Sequence, residues 1–146
     1  AQGLYAGILS KDAPGPTGRW GPVLTWREGL ALPGGAQMQY LRAAYESVDW
    51  WRLEPRPDAL AHDNVLVKAD ADRTFVLYYP ASAKPDAAPG HLKARAGSRY
   101  AATWFDPRTG LTTRLAEPLA ADSQGLPLPA RPDKDDWLLI LGRASR

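Results

Sequence analysis

The sequence predicts a mainly β protein: an antiparallel β-sandwich preceded by a long loop and one amphipathic α-helix. The first observation is a series of about seven short β-rich runs from residue 61 onward, with no helical pattern between them. The second is a single stretch, residues 36–48, in which apolar residues recur every three or four positions. The chain has 146 residues and no cysteine, so its core has to form without disulfides.

The first 34 residues are rich in glycine and proline and also contain Trp20 and Trp26. Tryptophans are rare in disordered segments, so this stretch is predicted to be a structured loop. Trp20 follows Arg19, and sugars stack their apolar ring faces on indoles. Arg19, Trp20 and Trp26 are therefore candidate ligand-binding residues; the alternative is that the two tryptophans anchor the loop to a core.

The helix is predicted over residues 35–48, directly after a proline and two glycines. Met38, Leu41, Tyr45 and Val48 would form its apolar stripe.

The strands follow in "NVLVKADADRTFVLYY", where two β-rich runs are joined by residues 70–73 as a hairpin turn. "TWFDPRTGLTTRL" predicts a second hairpin, closed by Gly110. "HLKARAG" is a weaker strand, "GLPLPA" is an edge strand because its prolines cannot donate to a ladder, and "DDWLLILG" is the most apolar and should be central. The predicted strands are 65–69, 74–79, 100–105 and 111–115, together with those three segments.

Between the helix and the strands lies "VDWWRLEPRPDAL". Pro55 and Pro57 would hold this segment extended, as at a domain boundary. In an extended chain Trp50 and Trp51 point to opposite sides. We interpret Trp50, Trp51 and Leu53 as domain-interface residues; the alternative is an exposed aromatic platform for a ligand.

The sequence carries no motif for a metal, a cofactor or a nucleophile. His62 and His91 lack the spacing of a metal site, no serine lies in a Gly-x-Ser-x-Gly context, and no P-loop is present. A glycosidase needs two carboxylates, for which Glu28, Asp106 and Asp136 are candidates. However, Asp106 is explained by its turn, and Asp136, with its neighbour Asp135, by solvation where a strand starts. No catalytic residue, metal site or cofactor is therefore predicted.

The charge pattern bears on possible partners. Eighteen Lys and Arg balance sixteen Asp and Glu, without a block of like charge. Nucleic-acid binders concentrate their basic residues into a patch, and no apolar run approaches the ~20 residues that a membrane span needs. Neither nucleic acid nor membrane insertion is expected.

The run "WREGLALPGGAQMQYLRAAYESVDWWRLEP" resembles the end of the (β/α)8 barrel in apiosidase-like glycoside hydrolases. The segments "VLVKADADRTFVLYYP", "ATWFDPRTG" and "DDWLLILG" are similar to the β-sandwich that follows that barrel, which is labelled a collagen-binding domain. The resemblance implies that residues 1–58 are the last βα segment of a barrel and that residues 61–146 are the sandwich. It also places Arg19, Trp20 and Trp26 near a substrate pocket, because the loops after barrel strands build the active-site face.

The family's catalytic carboxylates lie on earlier barrel strands, so none can be transferred to this chain. The leading hypothesis is a non-catalytic accessory region of a secreted or periplasmic glycoside hydrolase. It would pack on a catalytic barrel of the same or a separate chain and stabilise it, with weak carbohydrate binding as an additional role. The alternatives are an independent module for collagen or another matrix polymer, and a fragment of an active glycosidase.

Overall fold

The computed structural model describes residues 33–61, 64–81 and 90–144. Within these ranges, helix α1 is followed by a short 3₁₀ helix and nine strands. Their bounds are α1 Pro33–Glu46, 3₁₀ Trp50–Arg52, β1 Glu54–Pro55, β2 Leu66–Asp70, β3 Thr74–Tyr79, β4 His91–Leu92, β5 Arg99–Phe105, β6 Thr112–Arg114, β7 Leu119–Ala120, β8 Leu126–Pro127 and β9 Trp137–Arg143.

Seven strands form one antiparallel sheet in the order β1-β2-β3-β9-β5-β6, with β7 pairing to β5. The register places apolar residues in rows across it. In one row Val67 is opposite Leu77, which is opposite Leu139, which is opposite Trp104. Because side chains alternate along a strand, such a row lies on one face of the sheet. All four of these residues are buried.

The second layer is a small ribbon in which β4 pairs with β8. Leu92 and Leu126 of this ribbon are fully buried, and they belong to the same core cluster as the inner face of the large sheet. Ala59 and Leu60 add to that cluster, and the backbone N–H of Lys93 donates to the Ala59 carbonyl at 2.7 Å. The predicted antiparallel sandwich is confirmed, with two layers of very unequal size.

Helix α1 lies on the opposite, outer face of the large sheet. Ala44 is its one buried residue in the described part of the chain, and Tyr40 lies against the β5–β6 turn. A Cβ atom built on Gly110 in that turn would be 2.5 Å from Cδ1 of Tyr40. Gly110 has a φ of 77°. Glycine is therefore required at this position both by the backbone conformation and by the close approach of the Tyr40 ring.

Most predicted elements are confirmed within one to three residues. β9 is central, between β3 and β5, and the hairpin turn closes through a hydrogen bond from Arg73 N–H to the Asp70 carbonyl. β1 and β7 were not predicted, since each has only two residues. The weak strand at "HLKARAG" shortens to His91–Leu92.

The two adjacent tryptophans are not part of the extended segment, so the condition for their pointing to opposite sides is not met. Trp50–Arg52 forms a 3₁₀ turn, closed by a hydrogen bond from Leu53 N–H to the Trp50 carbonyl at 3.1 Å. The chain becomes extended only from Leu53 onward, where β1 pairs with β2.

Candidate functional site

Three of the predicted site residues, Arg19, Trp20 and Trp26, lie outside the described residues. The same holds for Glu28 and His62.

The tryptophan pair Trp50–Trp51 is the largest exposed aromatic feature in the described part of the chain. Trp50 is 51% exposed and Trp51 68%. Their ring centroids are 6.1 Å apart and their planes make an angle of 83°. A polysaccharide chain stacks best on coplanar rings that face the same way, so this perpendicular pair suits insertion into pockets of a partner better than a flat sugar platform.

The position of the pair is fixed by its flanks. Arg52 Nε forms an ion pair with Oδ2 of Asp70 at 3.0 Å, which joins the 3₁₀ turn to the β2–β3 hairpin. Leu53 is half-buried and enters β1 directly. The tryptophans are thus presented at the outer end of an edge strand.

A second feature is the cluster around Arg108, in the turn after β5. Its guanidinium pairs with Asp106 at 2.8 Å, with Asp133 at 3.3 Å and with Asp135. The guanidinium also lies 5.3 Å from the ring centroid of Trp137. Arg108 therefore ties the β5–β6 turn to the loop that leads into β9.

Two carboxylates of the cluster, Asp106 and Asp133, have a lowered pKa. Burial would raise the pKa of Asp106, but hydrogen bonds from the side chain and backbone of Arg108 and from Thr109 outweigh burial and lower that pKa. The pKa of Asp133 is lowered by the Trp137 indole N–H, which donates at 2.7 Å, then by the backbone N–H of Asp135. With so many donors on them, these carboxylates are not free to act as acid or base.

Behind the cluster, aromatic rings continue into the core. Trp137 meets Trp104 edge-on at 6.1 Å, and Trp104 meets Tyr79 at 5.4 Å. Trp104 is 4% exposed and belongs to the core cluster, and Trp137 packs partly buried against the same cluster. The Tyr79 hydroxyl is buried without a hydrogen-bond partner among the described residues.

The predicted explanation of Asp106 as a turn residue is confirmed, since its Oδ1 accepts the backbone N–H of Arg108 at 2.8 Å. Asp135 and Asp136 lie directly before β9 and are partly exposed, and their side chains also have partners in the described residues. Asp135 pairs with Arg108, and Asp136 accepts the backbone N–H of Ala81 at 2.6 Å. Over residues 33–61, 64–81 and 90–144, no cluster of three or more His, Asp or Glu could hold a metal ion.

The third feature is an apolar cleft of about 440 Å³ between α1 and the outer face of the sheet. Helix residues Met38, Leu41 and Tyr45 form one wall. The facing wall comprises Leu66, Lys68, Val76, Tyr78, Leu138 and Ile140, with Pro107 at one end. Leu66 is 67% exposed, and Met38 and Leu41 are 42% and 44% exposed, so the cleft opens to solvent along β2.

Sequence reasoning missed the Arg108 cluster and the cleft for the same reason. Arg108 lies 25 and 27 positions from Asp133 and Asp135, so no local spacing connects them. The cleft depends on where α1 lies on the sheet, and the helical pattern alone predicts only which residues share a face. The exposed tryptophan pair, in contrast, could be found from its sequence.

The architecture of the described residues defines a class: an antiparallel β-sandwich module with a helix on its outer face. The chain belongs to the family described as "Putative collagen-binding domain of a collagenase", whose profile matches residues 57–142. No curated protein sequence matches the chain.

Two solved structures share the fold. One, described as "Glycoside hydrolase", has a TM-score of 0.65 at 16% identity. The aligned region covers 95% of this chain and 31% of the glycoside hydrolase chain. The other, a glycoside hydrolase family 5 protein from Bacteroides vulgatus, has a TM-score of 0.62 at 16% identity, with 86% of this chain and 27% of its own covered. The chain thus spans about a third or less of these proteins. Likeness at this identity shows the fold alone.

No helix in the described residues is long and apolar enough to cross a membrane.

Proposed function

We propose that this chain is a non-catalytic accessory region of a glycoside hydrolase, which packs on the catalytic barrel and stabilises it. The observation that carries the proposal is the tryptophan pair Trp50–Trp51, exposed and perpendicular, at the edge of the sheet. Leaving two adjacent indoles exposed to water is energetically unfavourable. Tryptophan is also among the residue types most enriched at the centre of protein interfaces.

The comparisons support the choice of partner. Nearly all of this chain resembles about a third of each of two longer glycoside hydrolase chains. The resemblance of "WREGLALPGGAQMQYLRAAYESVDWWRLEP" to the end of an apiosidase-like barrel suggests that residues 1–58 are the last βα segment and residues 61–146 the accessory sandwich. Arg19, Trp20 and Trp26 would then contact carbohydrate bound at the barrel face. Such a protein acts on extracellular polymers, so the proposal includes a secreted or periplasmic location.

The test uses the catalytic domain of the parent protein, produced as a separate chain. Wild-type chain should bind it. Each of the changes Trp50→Ala and Trp51→Ala should weaken binding by about 30-fold, and the double change by up to roughly 700-fold, because interface tryptophans typically contribute about 2 kcal/mol or more each. Leu111→Ala is the matched control, since Leu111 is equally apolar and 70% exposed at the far edge of the sheet. Equal binding by all three proteins would overturn the proposed interface.

A matrix-binding module is the second candidate, favoured by the family description. Its test is retention on fibrillar collagen and on plant cell-wall polysaccharides, with Trp51→Ala as the contact variant. Retention of wild type on either polymer, lost in the variant, would favour this role. The third possibility, a fragment of an active glycosidase, predicts hydrolysis by the parent chain that depends on carboxylates upstream of residue 1.

A further inference from the structure

The apolar cleft between α1 and the sheet has the dimensions and lining of a small-molecule site. Its volume of about 440 Å³ lies inside the range of roughly 300 to 1,000 Å³ typical of ligand pockets. Most of its wall is aliphatic, with a few polar groups from side chains such as Tyr45 and Tyr78. A mainly apolar pocket with a few polar groups is the usual composition of such sites.

Among the described residues that line the cleft, Lys68 is the single charged one. Its ammonium lies 5.7 Å from the ring centroid of Tyr45 on α1. Within the described ranges no carboxylate comes within ion-pair distance of Lys68. An ammonium held over one aromatic face still has donors for an anion on its other sides.

The charges around the cleft also orient a ligand. Lys68 is opposite Val76, and Leu66 is opposite Tyr78, so Lys68 and Tyr78 lie at different depths along the strands. The carboxylate of Asp136 acts electrostatically on the Tyr78 hydroxyl, so it brings negative charge to that end. An anionic group is therefore attracted to the Lys68 end and repelled from the Tyr78 end, while Leu66 and Met38 offer apolar surface between the helix and the sheet.

We propose that this cleft binds an amphipathic organic acid, with the carboxylate of an aryl or alkyl acid on Lys68 and its apolar part against Met38, Leu66 and Leu138. The site is separate from the tryptophan pair, so it does not depend on the proposed docking function.

Phenylbutyrate is a suitable probe, with phenylbutyramide as a neutral compound of the same shape. An acid of this size should bind with a Kd on the order of 1 mM, from about 0.3 kcal/mol per non-hydrogen atom. Titration of the wild-type chain by NMR should shift the amide signals of α1 and β2. Phenylbutyramide should bind about fivefold more weakly than phenylbutyrate, which corresponds to the loss of one partly exposed ion pair.

Two matched pairs of variants locate the site. Lys68→Gln should weaken phenylbutyrate about fivefold and leave phenylbutyramide unchanged, whereas Lys93→Gln, at an exposed position elsewhere, should change neither. Leu66→Ser should weaken both compounds, and Leu111→Ser, which replaces a leucine of nearly equal exposure, should weaken neither.

The proposal is overturned if acid and amide bind equally, if Lys68→Gln leaves acid binding within twofold of wild type, or if no saturation is seen up to about 10 mM. Leu66→Ser keeps the test decisive if Lys68→Gln alters folding, because Leu66 is largely exposed and its replacement removes little core packing.

Discussion

Gly110→Ala should destabilise the protein through two separable effects, and the chain contains the control that separates them. Gly110 and Gly97 both have a φ of 77°, a conformation that costs a residue with a Cβ about 1 kcal/mol. A Cβ at Gly97 has no heavy atom within 4 Å, while one at Gly110 would lie 2.5 Å from the Tyr40 ring. Overpacking of this kind costs about 1 to 3 kcal/mol. Gly97→Ala should therefore cost about 1 kcal/mol and Gly110→Ala about 2 to 4 kcal/mol.

The assay is urea unfolding of the two variants, each also made in a Tyr40→Ala background. Without the ring, Gly110→Ala should cost only the backbone strain, about 1 kcal/mol, and so match Gly97→Ala. The difference between the two backgrounds would measure the steric clash between the new Cβ at position 110 and the Tyr40 ring. If Gly110→Ala costs the same with and without the Tyr40 ring, then the helix does not lie where the structure places it.

Three further changes test the core, the first hairpin and the Arg108 cluster. Tyr79→Phe removes a buried hydroxyl that has no hydrogen-bond partner among the described residues, so the free energy of unfolding should stay constant or rise by about 1 kcal/mol. A clear decrease in that free energy would show that the hydroxyl does form a hydrogen bond. Ala71→Gly should stabilise by up to about 1 kcal/mol in thermal unfolding, since Ala71 has a φ of 45°; destabilisation would show that its side chain is needed. Because Asp106 and Asp133 have lowered pKa values when folded, their contribution is present above the unfolded pKa of about 4 and is lost as pH falls through the folded pKa values. Arg108→Gln should therefore flatten the acid side of a stability-against-pH curve, and an unchanged curve would contradict the role given to this cluster.

The elements with strong periodic signals could be predicted from the sequence, and those defined by tertiary pairing could not. β3 is correct at both ends because six β-prone residues follow a turn. β1 consists of two residues that are extended only because they pair with β2, so no local pattern marks it. The 3₁₀ turn at Trp50–Arg52 was missed because the prolines that favour extended structure lie further along the chain, at positions 55 and 57.

The candidate sites divide in the same way. Trp50 and Trp51 could be singled out because adjacent tryptophans are rare, although their perpendicular geometry depends on the 3₁₀ turn. Lys68 could not be singled out from the sequence, because a lysine that alternates with apolar residues in β2 is ordinary for the solvated face of a strand. It becomes notable only because Tyr45 of α1 lies over it.

The most direct test of the account is hydroxyl-radical footprinting of Trp50 and Trp51, in this chain alone and in the parent protein joined to its catalytic domain. In the chain alone both indoles should be oxidised readily, because more than half of each is exposed. In the parent protein the account predicts several-fold protection of both, with Leu111 unchanged as an internal reference. Equal oxidation of the two tryptophans in both proteins would contradict the account.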